Sequence, residues 1–434
     1  MSPANLSTKR RWIAELARRR RGEALSLLHP VIDMQWMREA YALTRKDGAT
    51  GIDGVTAQAY EANLEANLTE LLGRIKSGRY RAPPVRRSYI PKADGTQRPL
   101  GIPSFEDKVA QRAIVMVLEA VYEQDFLPCS WGFRPGRSAH GALNVLYSAI
   151  TRQGQYWVLD VDIHRYFDSI PHRALRAMLD QRVTDGVIRR MIDKWLKAGV
   201  LEDGLLRLAT EGTPQGGVIS PMLSNLFLHH VLDAWIESEV RPRLGGGCTL
   251  VRYADDFVMS FKHHRDAKRV LEVLGKRLGR YGLKLHPDKT RFIDFRPGRG
   301  GGAHPDCQQP RFDFLGFTHI WVKSRKGNNV VRQRTAKPRL ARALIAINDW
   351  CRSNRHRPVS WQHARLRAKL IGHYAYYGIT GNMQQLQRFS TQVKRLWRKW
   401  LERRTRSKRL TWERFAALLT RYPLPSPRIV HRYA

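Results

Sequence analysis

Apolar positions along this chain follow two rhythms. In "KVAQRAIVMVLEAVYEQ" (108–124) they recur every three or four residues, the spacing of an amphipathic helix. The same spacing in "AKRVLEVLGKRLGRYGL" puts Val270, Leu271, Leu274 and Leu278 on one helical face. "QYWVLDVDI" (155–163) is instead short, aromatic and β-branched, and predicts a strand. The two kinds of run alternate irregularly between residues 85 and 325, which predicts an α/β or α+β body. From about residue 335 only helical runs follow, such as "LARALIAINDWCRS" and "MQQLQRFSTQVKRLWRKWLERRT". The N-terminus predicts a basic amphipathic helix, with Trp12, Leu16 and the later Leu25 and Leu28 apolar and Arg18 to Arg21 cationic. Gly-rich breaks, "RPRLGGGCT" and "FRPGRGGGAHPDCQQPR", read as loops.

Charge changes this picture most. The chain carries 76 Lys+Arg against 38 Asp+Glu, a net +38 over 434 residues. Such an excess selects polyanionic partners, because cations that neutralise phosphates release condensed counterions. Residues 335–434 hold 23 Lys+Arg and three acids, a net +20. With Trp361, Tyr374, Tyr376, Tyr377, Trp397, Trp400 and Trp412 among them, that segment reads as a separate helical domain gripping RNA or DNA. Cys129, Cys248, Cys307 and Cys351 are scattered without a CxxC pair, so neither a zinc site nor a disulfide framework is suggested. No apolar run has the length of a membrane span and no secretory leader is visible, so a cytoplasmic protein without membrane contact is expected.

The candidate chemistry centres on "LVRYADDFVMSF" (250–261), two adjacent aspartates between strand-like flanks, predicted at the tip of a hairpin. A lone DD is often just a turn. A second acidic strand, "VLDVDIHRYFDSI", lies about 90 residues upstream, and there Asp160 and Asp162 share a face. Adjacent strands would bring Asp162, Asp255 and Asp256 together, and crowded carboxylates call for a divalent cation. Hard oxygen ligands favour Mg²⁺ completed by substrate phosphates, and two such ions can promote phosphoryl transfer.

Taken in order, further blocks resemble one family, the reverse transcriptases or maturases encoded by bacterial group II introns. "KDGATGIDGVTAQAY" is similar to the family's N-terminal extension, and "SYIPKADGTQRPLGIPSFEDKVAQRAI" to its fingers motif. "WGFRPGRSAHGAL", "VLDVDIHRYFDSIPH", "GTPQGGVISPMLSNLFLHHVLD", "RYADDFV", "GLKLHPDKT" and "FDFLGF" resemble the palm blocks. "RLRAKLIGHYAYYG" and "PLPSPRI" resemble the thumb, or maturase, domain. The resemblance covers the chain from about residue 40 to its end. It implies an α+β right-hand polymerase, with fingers and an antiparallel palm sheet over 41–330 and a helical thumb over 331–434. Residues 1–40 form a basic helical extension, and the expected chain has no C-terminal endonuclease, as in the family's compact subgroup.

The resemblance also implies roles. Asp162, Asp255 and Asp256 match the catalytic aspartates and ligands of two Mg²⁺ ions, with the Ile163 carbonyl completing the shell; Asp160 is the competing assignment to Asp162. Lys92 and Arg98 match residues holding the incoming triphosphate, and Gln215 one near the nucleotide. Phe167 matches the ring that excludes a 2′-hydroxyl, although Tyr166 beside it leaves open which ring points in. Lys289 matches a basic residue assisting pyrophosphate departure, while His164 and His172 read as structural. Expected partners are group II intron RNA, a DNA target or primer, and dNTPs, in a nucleoid-associated setting. The expected functions are copying intron RNA into cDNA for mobility and assisting splicing. A defence- or CRISPR-associated reverse transcriptase, or an RNA-binding splicing factor with an idle polymerase, is the alternative.

Overall fold

The computed structural model describes residues 6–91, 95, 97–202, 205–207, 212, 216–298, 310–404 and 410–432. Contacts divide the chain into two units, residues 1–142 with 159–292, and residues 143–158 with 293–434.

In the first unit the helices α1 (Leu6–Arg19), α2 (Met34–Leu43), α3 (Ala57–Glu61) and α4 (Leu64–Lys76) precede strands β1 (Val85–Pro91) and β2 (Gln97–Ile102). The face of α1 that packs is Ile13 and Ala17, whereas Trp12 is half exposed. The sequence pattern pointed to Trp12 and Leu16; Leu25 and Leu28 are buried but lie beyond the helix end. Arg182 anchors that end, donating to the carbonyls of Ala17 (2.9 Å) and Arg20 (2.7 Å) and to Asp125 (2.6 Å).

Helix α5 (Phe105–Tyr122) starts three residues before the predicted run because Ser104 caps it, accepting from Asp107 N (3.2 Å). Its Asp107 is buried and accepts from Tyr80 Oη, Trp195 Nε1 (2.6 Å) and Gln111 Nε2 (2.9 Å). Burial pushes that carboxyl up to about 6, and the three donors oppose the shift. After α6 (Ala139–Thr151) come β3 (Trp157–Val161), α7 (His172–Asp180), α8 (Gly186–Lys197), β4 (Val200–Glu202) and β5 (Leu205–Arg207). Helix α9 (Ser220–Leu228) continues into two π-helical stretches, His229–Asp233 and Ile236–Val240. The hairpin β6 (Cys248–Tyr253) and β7 (Asp256–Phe261) follows, then α10 (His264–Gly279) and β8 (Arg291–Asp294).

Two four-stranded sheets result. One has the order β2-β1-β4-β5, antiparallel except for the parallel β1–β4 pair. The other has the order β6-β7-β3-β8, which makes the two acidic strands neighbours. Every residue of β7 from Phe257 to Phe261 is buried, so the strand is covered on both faces rather than alternating.

The second unit has a three-stranded antiparallel sheet, order β11-β10-β9, made of β9 (Arg311–Phe314), β10 (Phe317–Lys323) and β11 (Asn329–Thr335). Four helices follow, α11 (Lys337–Ser353), α12 (Val359–Tyr377), α13 (Met383–Glu402) and α14 (Trp412–Arg421). Their core contains Leu366, Leu370, Tyr374, Phe389, Trp397 and Phe415, so much of the aromatic content of this segment is packing. Trp397 shows how: it is fully buried and its indole N–H donates to Gln362 Oε1 (3.0 Å).

Candidate active site

The register of the β6–β7 hairpin ends with Tyr253 opposite Asp256, leaving Ala254 and Asp255 as a two-residue turn. Ala254 has φ 59°, the left-handed sign that a tight hairpin turn requires at its first central position. An alanine there costs on the order of 1 kcal/mol that glycine would avoid, so the surroundings must hold it.

They do so through Arg252. Its guanidinium is fully buried, as is its partner Asp233. Nε donates to Asp233 Oδ1 (2.8 Å) and Nη2 to Asp233 Oδ2 and Ser130 Oγ (2.8 Å). Nη1 donates to Asn225 Oδ1 (2.9 Å) and to the Ala254 carbonyl (3.0 Å), so all five N–H donors are used. Burial acts to lower the Arg252 pKa, and the Asp233 charge and hydrogen bond, with smaller contributions from Cys129 and Tyr166, together leave it raised. On the other side Asn225 Nδ2 donates to the Gly132 carbonyl (2.7 Å), and Trp131 N donates to Arg252 O (2.8 Å). A Cβ on Gly132 would lie 2.4 Å from Ala254 N, so only glycine permits this approach. Next to it, Phe133 takes φ 56° and is exposed, its ring 6.3 Å from Tyr253.

Asp255 is therefore placed by a buried network. Burial raises its carboxyl pKa; the Asp162 charge raises it further, while Arg98 and Arg252 act to lower it. Asp162 and Arg98 thus lie within electrostatic reach of Asp255. Asp162 directly follows β3, and its carbonyl accepts from His286 N (2.8 Å). Its carboxylate pairs with Lys289 Nζ (3.5 Å). Ile163 is buried and bridges Leu285 in antiparallel fashion. Asp160, the competing carboxylate, is bound instead to Arg291 (2.5 Å). Asp256 is exposed at the start of β7. Among the described residues no three His, Cys, Asp or Glu side chains gather in a group that could hold a metal ion, so the expected meeting of three carboxylates is not seen there. An open site suits Mg²⁺, which takes one or two carboxylates and completes its shell with substrate phosphates. The donor set is all hard oxygen.

Of the two neighbouring rings, Tyr166 is the buried one, donating to Ser224 O (2.9 Å), and Phe167 is the partly exposed one. Gly212 backs this turn, since a Cβ there would meet Phe167 O at 2.9 Å. Its carbonyl lies 2.6 Å from His172 Nε2. Gly216 takes φ 113° with Gly101 O 2.6 Å from where a Cβ would sit, so the chain beyond Gln215 runs against β2. Lys92 and Gln215 lie outside the described residues. Gln111 Oε1 accepts from Ile219 N (3.1 Å) and fastens the start of α9.

Sequence reasoning missed Arg252, Asp233, Asn225, Ser130 and Gly132. One signal was present: an arginine between "LV" and "YADD" in an apolar strand needs a buried partner. In the second unit, an open groove of about 1000 Å³ is lined by Arg311, Arg334, Lys337 and Arg388, with no acid among its lining residues.

The sequence pattern of the family described as reverse transcriptase (RNA-dependent DNA polymerase) matches residues 90–319. The chain belongs to this family, and its reaction class is RNA-directed DNA synthesis on a palm fold followed by a helical region. It is 34% identical over 336 residues to the protein YkfC of Escherichia coli, covering 69% of this chain and 84% of that one. It is 37% identical over 198 residues to the group II intron-encoded protein LtrA of Lactococcus lactis, covering 45% of this chain and 33% of LtrA. It is 41% identical over 171 residues to an uncharacterized 91 kDa protein in the cob intron of Schizosaccharomyces pombe, covering 39% of this chain and 21% of that one.

The Arg252 network predicts a large effect from one change. Arg252→Met leaves Asp233 buried without its partner and should cost about 3–5 kcal/mol. The check is chemical denaturation of the single variant beside an Arg252→Met/Asp233→Leu pair, which should recover part of the loss. A single variant as stable as wild type would show that the pair does not hold the hairpin.

Proposed function

We propose that this chain copies RNA into DNA at Asp162 and Asp255, and that it also binds an intron RNA and assists its splicing. The observation carrying the first part is the electrostatic coupling of Asp255, on a rigid hairpin tip, to Asp162 at the end of the neighbouring strand. Asp162 and Asp255 would hold the divalent ions, together with Asp256 and the Ile163 carbonyl. When bound, two Mg²⁺ ions would lower the pKa of the primer 3′-hydroxyl and neutralise charge on the departing pyrophosphate. Arg98 and Lys92 grip the triphosphate, a fork and a point charge for the same anion. Gln215 is assigned to the nucleotide by its match to the family motif "TPQGG". Lys289, paired with Asp162, neutralises the leaving group. Phe167 offers its partly exposed ring to the sugar and rejects a 2′-hydroxyl.

The RNA-holding part is supported by the net +20 of residues 335–434, by the acid-free groove of the second unit, and by the intron-encoded relatives. Those relatives favour an intron RNA over a defence- or CRISPR-associated role. A DNA target that supplies the primer, and association with the nucleoid, belong to the same reading. The cations of α13 are not equivalent. Arg398 is tied to Leu410 O (2.5 Å) and lies over Trp412 (4.3 Å), whereas Arg395 and Lys399 are exposed.

Primer extension on an RNA template with dNTPs and Mg²⁺ tests the site. Asp255→Asn should lower the rate by on the order of 10²–10³-fold or more while RNA binding is retained. Extension at the wild-type rate would refute the assignment. Phe167→Val should raise ribonucleotide use relative to dNTPs by roughly 10–200-fold; an unchanged ratio would place the sugar elsewhere. In a splicing assay, Asp255→Asn should preserve activity and an Arg395→Ala/Lys399→Ala pair should reduce it. The reverse outcome would remove the α13 surface from the RNA contact.

A further inference from the structure

The groove between α10 and the π-helical run after α9 contains none of the residues assigned to polymerisation. It encloses about 390 Å³, with Trp235, Val240, Val270 and Val273 in its lining. Its polar lining is cationic: Arg243, Arg269, Lys276, Arg277 and Arg280 face a single acid, Glu239.

The floor is built rather than incidental. π-helical turns shift the backbone hydrogen-bond register and widen the helix. Arg277 spans that irregularity, donating Nε to Val231 O (3.0 Å) and Nη2 to His230 O (3.3 Å). Its guanidinium lies over Trp235 (5.6 Å) and Tyr281 (5.0 Å). Arg277 is thus a structural clamp that holds Trp235 in place.

The other α10 cations have no such employment. Arg269, Lys276 and Arg280 are exposed, and none forms an ion pair among the described residues. Elsewhere in the same unit, exposed arginines do pair, as in Arg38–Glu65, Arg45–Asp47 and Arg241–Glu237. Steps of seven and four residues keep these three cations on one side of α10, spread over about 16 Å of helix rise. A single small anion needs converging donors. A row of separate cations above an apolar floor suits successive phosphates, with bases or sugars against the rings and aliphatic side chains.

We propose that this groove binds a single-stranded phosphodiester segment as a second nucleic-acid contact, distinct from the template–primer site. The inference rests on the reading that the chain handles RNA, and adds a surface to it.

The experiment uses the full chain trapped with a chain-terminated primer on a short RNA template plus the next dNTP, so that the polymerase site is filled. Fluorescein-labelled unstructured RNA, and DNA of the same sequence, are titrated over a range of NaCl concentrations. The comparison is with an Arg269→Ala/Lys276→Ala/Arg280→Ala variant whose melting temperature matches wild type. Each single-strand phosphate contact contributes about 0.7 to the salt slope, so losing three should reduce it by about 2. Affinity near 0.1 M salt should fall at least tenfold, with primer extension on the short template unchanged. Tighter binding of RNA than DNA would identify RNA as the occupant; equal binding would identify any single strand. Unchanged affinity and slope in an active variant would overturn the groove alone. Displacement of the RNA by polyglutamate or a mononucleotide at equal phosphate or carboxylate concentration would overturn the strand as occupant. Loss of extension in wild type and variant alike would instead refute the polymerase reading.

Discussion

A buried arginine holds the hairpin of the candidate active site together. Arg252 and Asp233 are both removed from water, and each charge is tolerable only because the other is there. The pair joins three stretches far apart in sequence: residues 130–132, the helix carrying Asn225 and its π-helical extension, and the hairpin itself. Because one guanidinium N–H reaches the Ala254 carbonyl, the pair also holds the strained residue preceding Asp255. The carboxylate that most needs positioning thus hangs from the most tightly bonded side chain in its neighbourhood.

That rigidity matters for the chemistry. Burial and the nearby Asp162 charge both raise the Asp255 pKa, an electrostatic cost that a flexible turn would relieve by swinging away. Arg252 prevents this on one side, and Gly132, packed directly against Ala254 N, on the other. Around the site, Tyr166 is spent on a buried hydrogen bond to Ser224, while its neighbour Phe167 stays partly exposed. The glycines at 212 and 216 let flanking backbone approach where any side chain would collide.

Much of this was legible in the chain. The helical run beginning near 108 and the strand at 155–163 are present with shifted ends, because caps such as Ser104 set the limits of an element and periodicity does not. The polymerase family was legible in the ordered blocks, which residues 90–319 match. The α1 face was misjudged: Trp12 is exposed while Ile13 and Ala17 pack, since a helix buries whichever stripe its neighbours cover. Asp160 and Asp162 look equivalent in a two-residue repeat, and their contacts separate them: Asp160 pairs with Arg291, whereas Asp162 pairs with Lys289 and acts on Asp255.

By itself, then, the sequence determined residue chemistry and order: which carboxylates are available, how much positive charge must be answered by phosphate, and the blocks that name the polymerase class. Local patterns carry this information because propensity and periodicity act over a few residues. Tertiary structure decided which groups meet. It paired Arg252 with Asp233, turned Tyr166 inward, and laid Gly132 against the hairpin. It also set three cations on and just after α10, without an ion pair among the described residues, along a floor clamped by Arg277. Those are contacts between distant segments, whose energy exists only once burial has removed the water that would otherwise satisfy each partner alone.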